Sequence, residues 1–148
     1  MDNKVINELN AYLKGEYMAI QSYDKFISEL QDENVKKEMQ NIQQDHKEHA
    51  STIARRIQEL GGKPVEGTGF AGLMADAKAA FESMKKRSPL QIIKEAYDGE
   101  DKGISVAHET VKGDLDEESR KMIEGMLKKD NEHLKTMSRL ISDYENRH

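Results

Sequence analysis

Six ionisable residues fall where apolar ones are expected: Glu16, His46, His49, Glu100, Asp130 and His133. Each interrupts a stripe of aliphatic side chains that recurs at alternating steps of three and four. Carboxylate oxygen and neutral imidazole nitrogen together make a good ligand set for iron, manganese or zinc. His46 with His49, and Asp130 with His133, stand at i and i+3, so each pair shares one helix face and can aim at one point. Three carboxyl groups and three imidazoles left unpaired in a core would be costly, since even a neutral polar group buried without a partner costs about 2–7 kcal/mol. A divalent cation removes that cost. A polar layer that fixes helix register through internal hydrogen bonds is the alternative.

The elements that must carry these residues are helices. Residues 3–31 place Leu9, Leu13, Glu16, Ile20, Tyr23, Ile27 and Leu30 on one seam. Residues 34–60 repeat the spacing with Val35, Met39, Ile42, His46, His49, Ile53 and Leu60, and stop at Gly61-Gly62 with Pro64 beyond. Residues 61–70 read as a glycine-rich loop and 71–86 as a short alanine-rich helix. Ser88-Pro89 is an N-cap followed by proline at the first helical position. The third long helix, 89–112, carries Ile93, Tyr97, Glu100, Ile104, Ala107 and Val111. The fourth, 116–146, carries Ile123, Met126, Asp130, His133, Met137, Leu140 and Tyr144.

The two halves read as an internal repeat. Gly15-Glu16 matches Gly99-Glu100, Ile20 matches Ile104, Glu48-His49 matches Glu132-His133, and Thr52, Arg55 and Ile57 match Thr136, Arg139 and Ile141. Each half is then a hairpin of two antiparallel helices, and the long 61–88 connection lets the third helix start at the far end of the bundle. At a rise of about 1.5 Å per residue, Glu16 lies roughly 25 Å from the first turn and the His46–His49 pair roughly 22 Å from it. Glu100 and the Asp130–His133 pair lie roughly 22 and 25 Å from the second turn. Each hairpin therefore presents its ionisable groups at one depth, and symmetry makes His49 and His133 equal contributors.

Composition bounds the rest. The 148 residues read as one domain over 1–148, with 34% charged residues and two prolines, as long helices with solvated outer faces require. A net charge of −5 argues against a general nucleic-acid binder. The absence of cysteine removes disulfides, thiolate metal sites and iron–sulfur clusters. Neither a signal-peptide pattern nor an apolar run long enough to span a bilayer is present, so a cytoplasmic location and no membrane partner are expected.

These residues, with the long crossover, resemble the ferritin-like di-iron superfamily, and within it rubrerythrin-type domains and small bacterial ferritin-like bundles. That pattern takes a glutamate from each of two helices and Glu-x-x-His from each of the other two. The resemblance assigns the lone glutamates to Glu16 and Glu100 and the motif histidines to His49 and His133. Asp130 stands for one motif carboxylate, and His46 replaces the other. It implies an all-α, antiparallel four-helix bundle of two repeated hairpins, with a long crossover that holds a short extra helix. It further implies two iron ions, with zinc or manganese as alternatives, and oxygen or peroxide as substrate in oxidative-stress defence or iron handling. A peroxidase- or ferroxidase-like di-iron oxidoreductase without a rubredoxin knuckle would need an external electron donor. The histidine at 46 removes one negative charge and, when neutral, ligates a single ion, so the two metal positions are expected to be unequal. Asp45 and Glu48 flank the stripe as replacement ligands or ligand supports.

A non-catalytic metal-binding or assembly bundle is the second function class, and a homodimer is a candidate assembly for either class. Tyr23, two turns from Glu16 on the same face, is either a redox tyrosine, a hydrogen-bond donor to a ligand, or a core tyrosine with a satisfied hydroxyl. Tyr97 has the same options. Methionines on the seams read as packing, His108 and His148 as solvent-facing, and Glu48 and Glu132 as surface ion-pair formers or supports of the site.

Overall fold

In the computed structural model, residues 3–67 and 87–147 are described. They form four α-helices: α1 (Asn3–Glu29), α2 (Glu33–Glu59), α3 (Pro89–Lys112) and α4 (Glu117–Asn146). The expected helix over 71–86 and the side chain of His148 lie outside the described residues. The four long segments agree with the periodicity to within two residues at each end, and the terminal choices follow from capping. Asp32 accepts hydrogen bonds from the backbone N–H groups of Asn34 and Val35 and so starts α2 at Glu33. Ser88 and Gln91 close a reciprocal capping box around Pro89. Asp116 caps α4 through the Ser119 amide.

Contacts between helix ends fix the directions. Tyr144 near the end of α4 donates to Asp32 at the start of α2. Arg56 near the end of α2 meets Asp116 at 2.7 Å and Ser119 Oγ at 3.0 Å at the start of α4. Glu8 on α1 accepts from the Asp114 amide just past α3. Each of α1–α2, α2–α4 and α1–α3 is therefore an antiparallel pair, and the segment from α2 to α3 has to travel the length of the bundle. It begins along α1, where Asn10 bonds the Lys63 carbonyl and the Val65 amide.

The core is in two parts. One cluster gathers Leu9, Leu13, Ile53, Ile57, Ala107, Ile123 and their neighbours. The other gathers Tyr23, Phe26, Met39, Ile92, Ile93, Met137 and Leu140. On every helix the six ionisable residues fall between members of the two clusters. Details of the seams differ. Tyr12 and Phe26 are buried while Ile20 and Ile27 are only half-buried, and Ile57 rather than Leu60 closes the α2 stripe.

Candidate metal centre

All six residues are buried, from 3% exposure at Asp130 to 9% at His49. The structure brings them together as two overlapping groups. Glu16, His46 and His49 form one; His46, Glu100, Asp130 and His133 form the other. Within each group one nitrogen or oxygen per residue lies within 4.8 Å of the others.

His46 occupies the middle. Its Nδ1 faces Glu16 Oε2 at 2.7 Å and its Nε2 is hydrogen-bonded to Glu100 Oε1. The ring that the sequence assigns to a single ion thus contacts a carboxylate from each hairpin. Burial works to lower the His46 pKa, but the hydrogen bonds to Glu100 and Glu16 carry it up to about 11. Glu100 shows the reciprocal effect. Burial works to raise its pKa, and the contacts with His133 and His46 hold it at about 2. The Tyr23 hydroxyl donates to Glu100 Oε1 at 2.7 Å, and the Tyr23 ring stacks on His46 with centroids 5.6 Å apart. Burial and the Glu100 charge push the Tyr23 phenol well above its ordinary pKa, so it is a hydroxyl donor at neutral pH.

The two motif histidines differ. His133 Nε2 faces Asp45 Oδ2 at 2.8 Å, which turns Nδ1 inward, 3.4 Å from both Glu100 Oε2 and Asp130 Oδ1. Burial alone would lower its pKa, but Asp130, Glu100 and Asp45 together raise it to about 9. His49 has no such support. Its Nδ1 lies 3.9 Å from both Glu16 Oε1 and Asp130 Oδ1, and burial lowers its pKa despite those two charges.

Two buried atoms in this layer have no hydrogen-bond partner: His49 Nδ1 and Asp130 Oδ1. A buried lone pair without a donor is a site for a proton or a cation. Ligands about 2.0–2.1 Å from a tetrahedral ion stand about 3.3–3.4 Å apart, close to the 3.4 Å separations around His133 Nδ1. The donor set is oxygen and nitrogen, suited to iron, manganese or zinc. The residues present therefore fit a divalent metal. Asp130, near the inner nitrogens of both His49 and His133, is the carboxylate best placed to serve two positions. The carboxylates around His46 and His133 favour the protonated form of both rings.

Of the flanking candidates, Asp45 joins the site through His133, and its signal in the sequence is only that it precedes His46. Glu48 is exposed, and Glu132 is exposed beside Lys129. His108 is exposed and Tyr97 half-buried. Gly15 and Gly99 acquire a role that their pairing with Glu16 and Glu100 only hinted at. A Cβ added to either would meet nothing within 4 Å. Both line a cavity of about 340 Å³ between α1 and α3, which also exposes Glu16, Tyr23, His46, Glu100 and Asp130. Among the described residues, no helix is long and apolar enough to cross a membrane.

Comparison with known proteins places this geometry. No curated protein matches the chain. The dodecameric thioferritin of Bacteroides fragilis, a bacterioferritin-related protein, is 23% identical with a TM-score of 0.76, over 99% of this chain and 90% of that one. The bacterioferritin of Rhodobacter capsulatus, described with a metal-free dinuclear site and a heme iron, is 22% identical with a TM-score of 0.77, over 99% and 88%. The bacterioferritin of Desulfovibrio desulfuricans, described with a diiron site, is 23% identical with a TM-score of 0.77, over 97% and 81%. At these identities the likeness speaks for the fold. Residues 4–113 match the family model described as Domain of unknown function (DUF2383). The chain belongs to that family, and its fold is the ferritin-like four-helix bundle.

Proposed function

We propose that this protein is a metal-binding bundle with Glu16, His46, His49, Glu100, Asp130 and His133 as ligands and iron as the favoured occupant. The observation that carries the reading is the pair of buried, unpartnered atoms, His49 Nδ1 and Asp130 Oδ1, which face each other at 3.9 Å. The bacterioferritins that share the fold, one described with a diiron site and one with a metal-free dinuclear site, support two positions rather than one. Iron held there would supply a one-electron centre able to react with oxygen or peroxide, with electrons returned by an external donor. The chain's own groups divide the remaining work. Asp45 fixes the His133 tautomer and ring plane. Tyr23 holds Glu100 and offers a proton at its hydroxyl. The apolar clusters on either side limit water to the α1–α3 side. The dodecameric relative supports a homo-oligomer, with a homodimer as its smallest unit.

A second reading rests on His46. Because its ring is hydrogen-bonded to Glu16 and Glu100 at once, the layer is partly self-neutralised without redox chemistry, and the bundle would be a non-catalytic metal-binding or assembly protein. Metal analysis of protein from iron-supplemented cells, followed by anaerobic peroxide addition, separates the two. Bound iron that is oxidised as peroxide is consumed supports the redox centre. Structural zinc, or no metal, supports the second reading.

A further inference from the structure

Two tyrosines of α1 flank Glu16, Tyr12 one turn before it and Tyr23 two turns after. Both line the cavity between α1 and α3, whose polar floor is Glu16, His46, Glu100 and Asp130. In the register that pairs Glu16 with Glu100, their counterparts on α3 are Ala96 and Ala107, both buried. At these positions phenols reach the layer from one hairpin only.

The two hydroxyls are in different states. Tyr23 is committed, since it donates to Glu100 Oε1 at 2.7 Å. Tyr12 is only 6% exposed, yet its hydroxyl makes no hydrogen bond among the described residues. The oxygen is also absent from the unpaired atoms that are sealed from solvent. Its remaining surface opens on the cavity that Tyr12 lines. Burial raises the pKa of both phenols, and the carboxylate charges add to it, Glu16 acting most strongly on Tyr12 and Glu100 on Tyr23. Tyr12 is therefore an O–H donor at neutral pH, on the Glu16 side.

A buried tyrosine hydroxyl ordinarily has a partner, and phenylalanine would fill the same space without an unpaired group. No other donor of the floor is free in this way. Both ring nitrogens of His46 are engaged by Glu16 and Glu100. Ser22 and Lys102, which also line the cavity, are half-buried and exposed. A ligand suited to Tyr12 must be small, must bind the metal at one end and must present a strong acceptor at the other. A charged oxygen is such an acceptor.

We propose that Tyr12 is a binding residue for a peroxide-type ligand of the metal centre, donating its hydroxyl hydrogen bond to the ligand's free oxygen from the α1–α3 cavity. The inference rests on the metal reading given above and adds to it the residue that holds the small ligand.

Azide is the probe, because it binds iron(III) at one end, offers an acceptor at the other and is not consumed. Iron(III)-loaded protein is titrated with azide and followed by the azide-to-iron charge-transfer absorption. Tyr12→Phe should bind azide about tenfold more weakly than the native chain, as loss of a hydrogen bond to a charged group implies, with its iron content unchanged. In metal-free protein, Tyr12→Phe should not lower the melting temperature, whereas Tyr23→Phe should, because only Tyr23 gives up a bond made within the chain. Equal azide affinity in native and Tyr12→Phe protein, with iron bound to both, would overturn this proposal and leave the metal reading standing. A fall in the metal-free melting temperature of Tyr12→Phe as large as that of Tyr23→Phe would also overturn it, since the hydroxyl would then be spent within the fold. Absence of bound iron in the native chain would overturn the metal reading and this inference with it.

Discussion

The two hairpins bring nearly the same residue types to one layer and leave them in different states. In the α3–α4 half, His133 is anchored from outside by Asp45 and faces two carboxyl groups, and its pKa is raised to about 9. In the α1–α2 half, His49 has no outer partner among the described residues, its Nδ1 is unsatisfied, and its pKa is lowered. The difference traces to two neighbouring residues of α2. His46 takes Glu16 and Glu100 as hydrogen-bond partners. Asp45 beside it turns outward to serve the opposite hairpin. His49 and His133 are therefore unequal in their electrostatics, one pKa lowered and the other raised.

The largest break in this comparison should come from Glu100, where the halves meet. Glu100→Ala removes the partner of His46, His133 and Tyr23 at once. Loss of one member of a buried charged pair costs about 3–5 kcal/mol, so urea denaturation of the metal-free variant should show a loss of that size. A loss below about 1 kcal/mol would mean that the layer is not held by these pairs.

Alkaline pH should act next, and on the metal-free protein alone. His46 and His133 have folded pKa values of about 11 and about 9, above the ordinary imidazole value of 6.5. Their contribution is therefore complete below about pH 6.5 and is lost as pH rises through about 9 and then about 11. His49, with a lowered pKa, acts in the opposite sense, and its contribution is lost as pH falls below the ordinary value. Metal-free protein should be less stable at about pH 10 than at about pH 7, and metal-loaded protein should be spared because ligation needs deprotonated imidazole. Equal stability of the metal-free protein at both pH values would remove the protonated histidines from the account.

Asp45→Asn sharpens the comparison more gently. The amide cannot hold the His133 ring as a carboxylate does, and outer partners of metal-bound histidines are typically worth about 10- to 100-fold in affinity. Zinc affinity should fall by about that factor, with little change at the His49 side. Glu132→Gln sets the floor of the scale. Among the described residues exposed Glu132 meets Lys129, at 3.5 Å, so the change should stay within about 0.5 kcal/mol. A larger effect on metal binding would bring Glu132 into the site.

The helices and the polar layer were legible in the sequence because both rest on periodicity. Aliphatic residues at steps of three and four mark a face, and an ionisable residue on that face has to be buried. Ser88-Pro89 gave the start of α3 to the residue, since the capping box is local. Three features were not legible. The contact of His133 with Asp45 joins residues 88 positions apart, and no local rule sets the offset between hairpins. The central position of His46 depends on its rotamer. The half-burial of Ile20 and Ile27 reflects how α1 is rotated against its neighbours, which spacing alone does not fix.

Calorimetric titration of the metal-free protein with iron(II) under anaerobic conditions, in the native chain and in His46→Glu, addresses the central claim directly. The native chain should bind with unequal affinities at two positions. The added carboxylate, able to bridge and to supply the missing negative charge, should tighten the weaker one and bring the stoichiometry toward about two ions per chain. Two equal high-affinity ions in the native chain would contradict the asymmetry, and no binding at millimolar iron would contradict the metal centre itself.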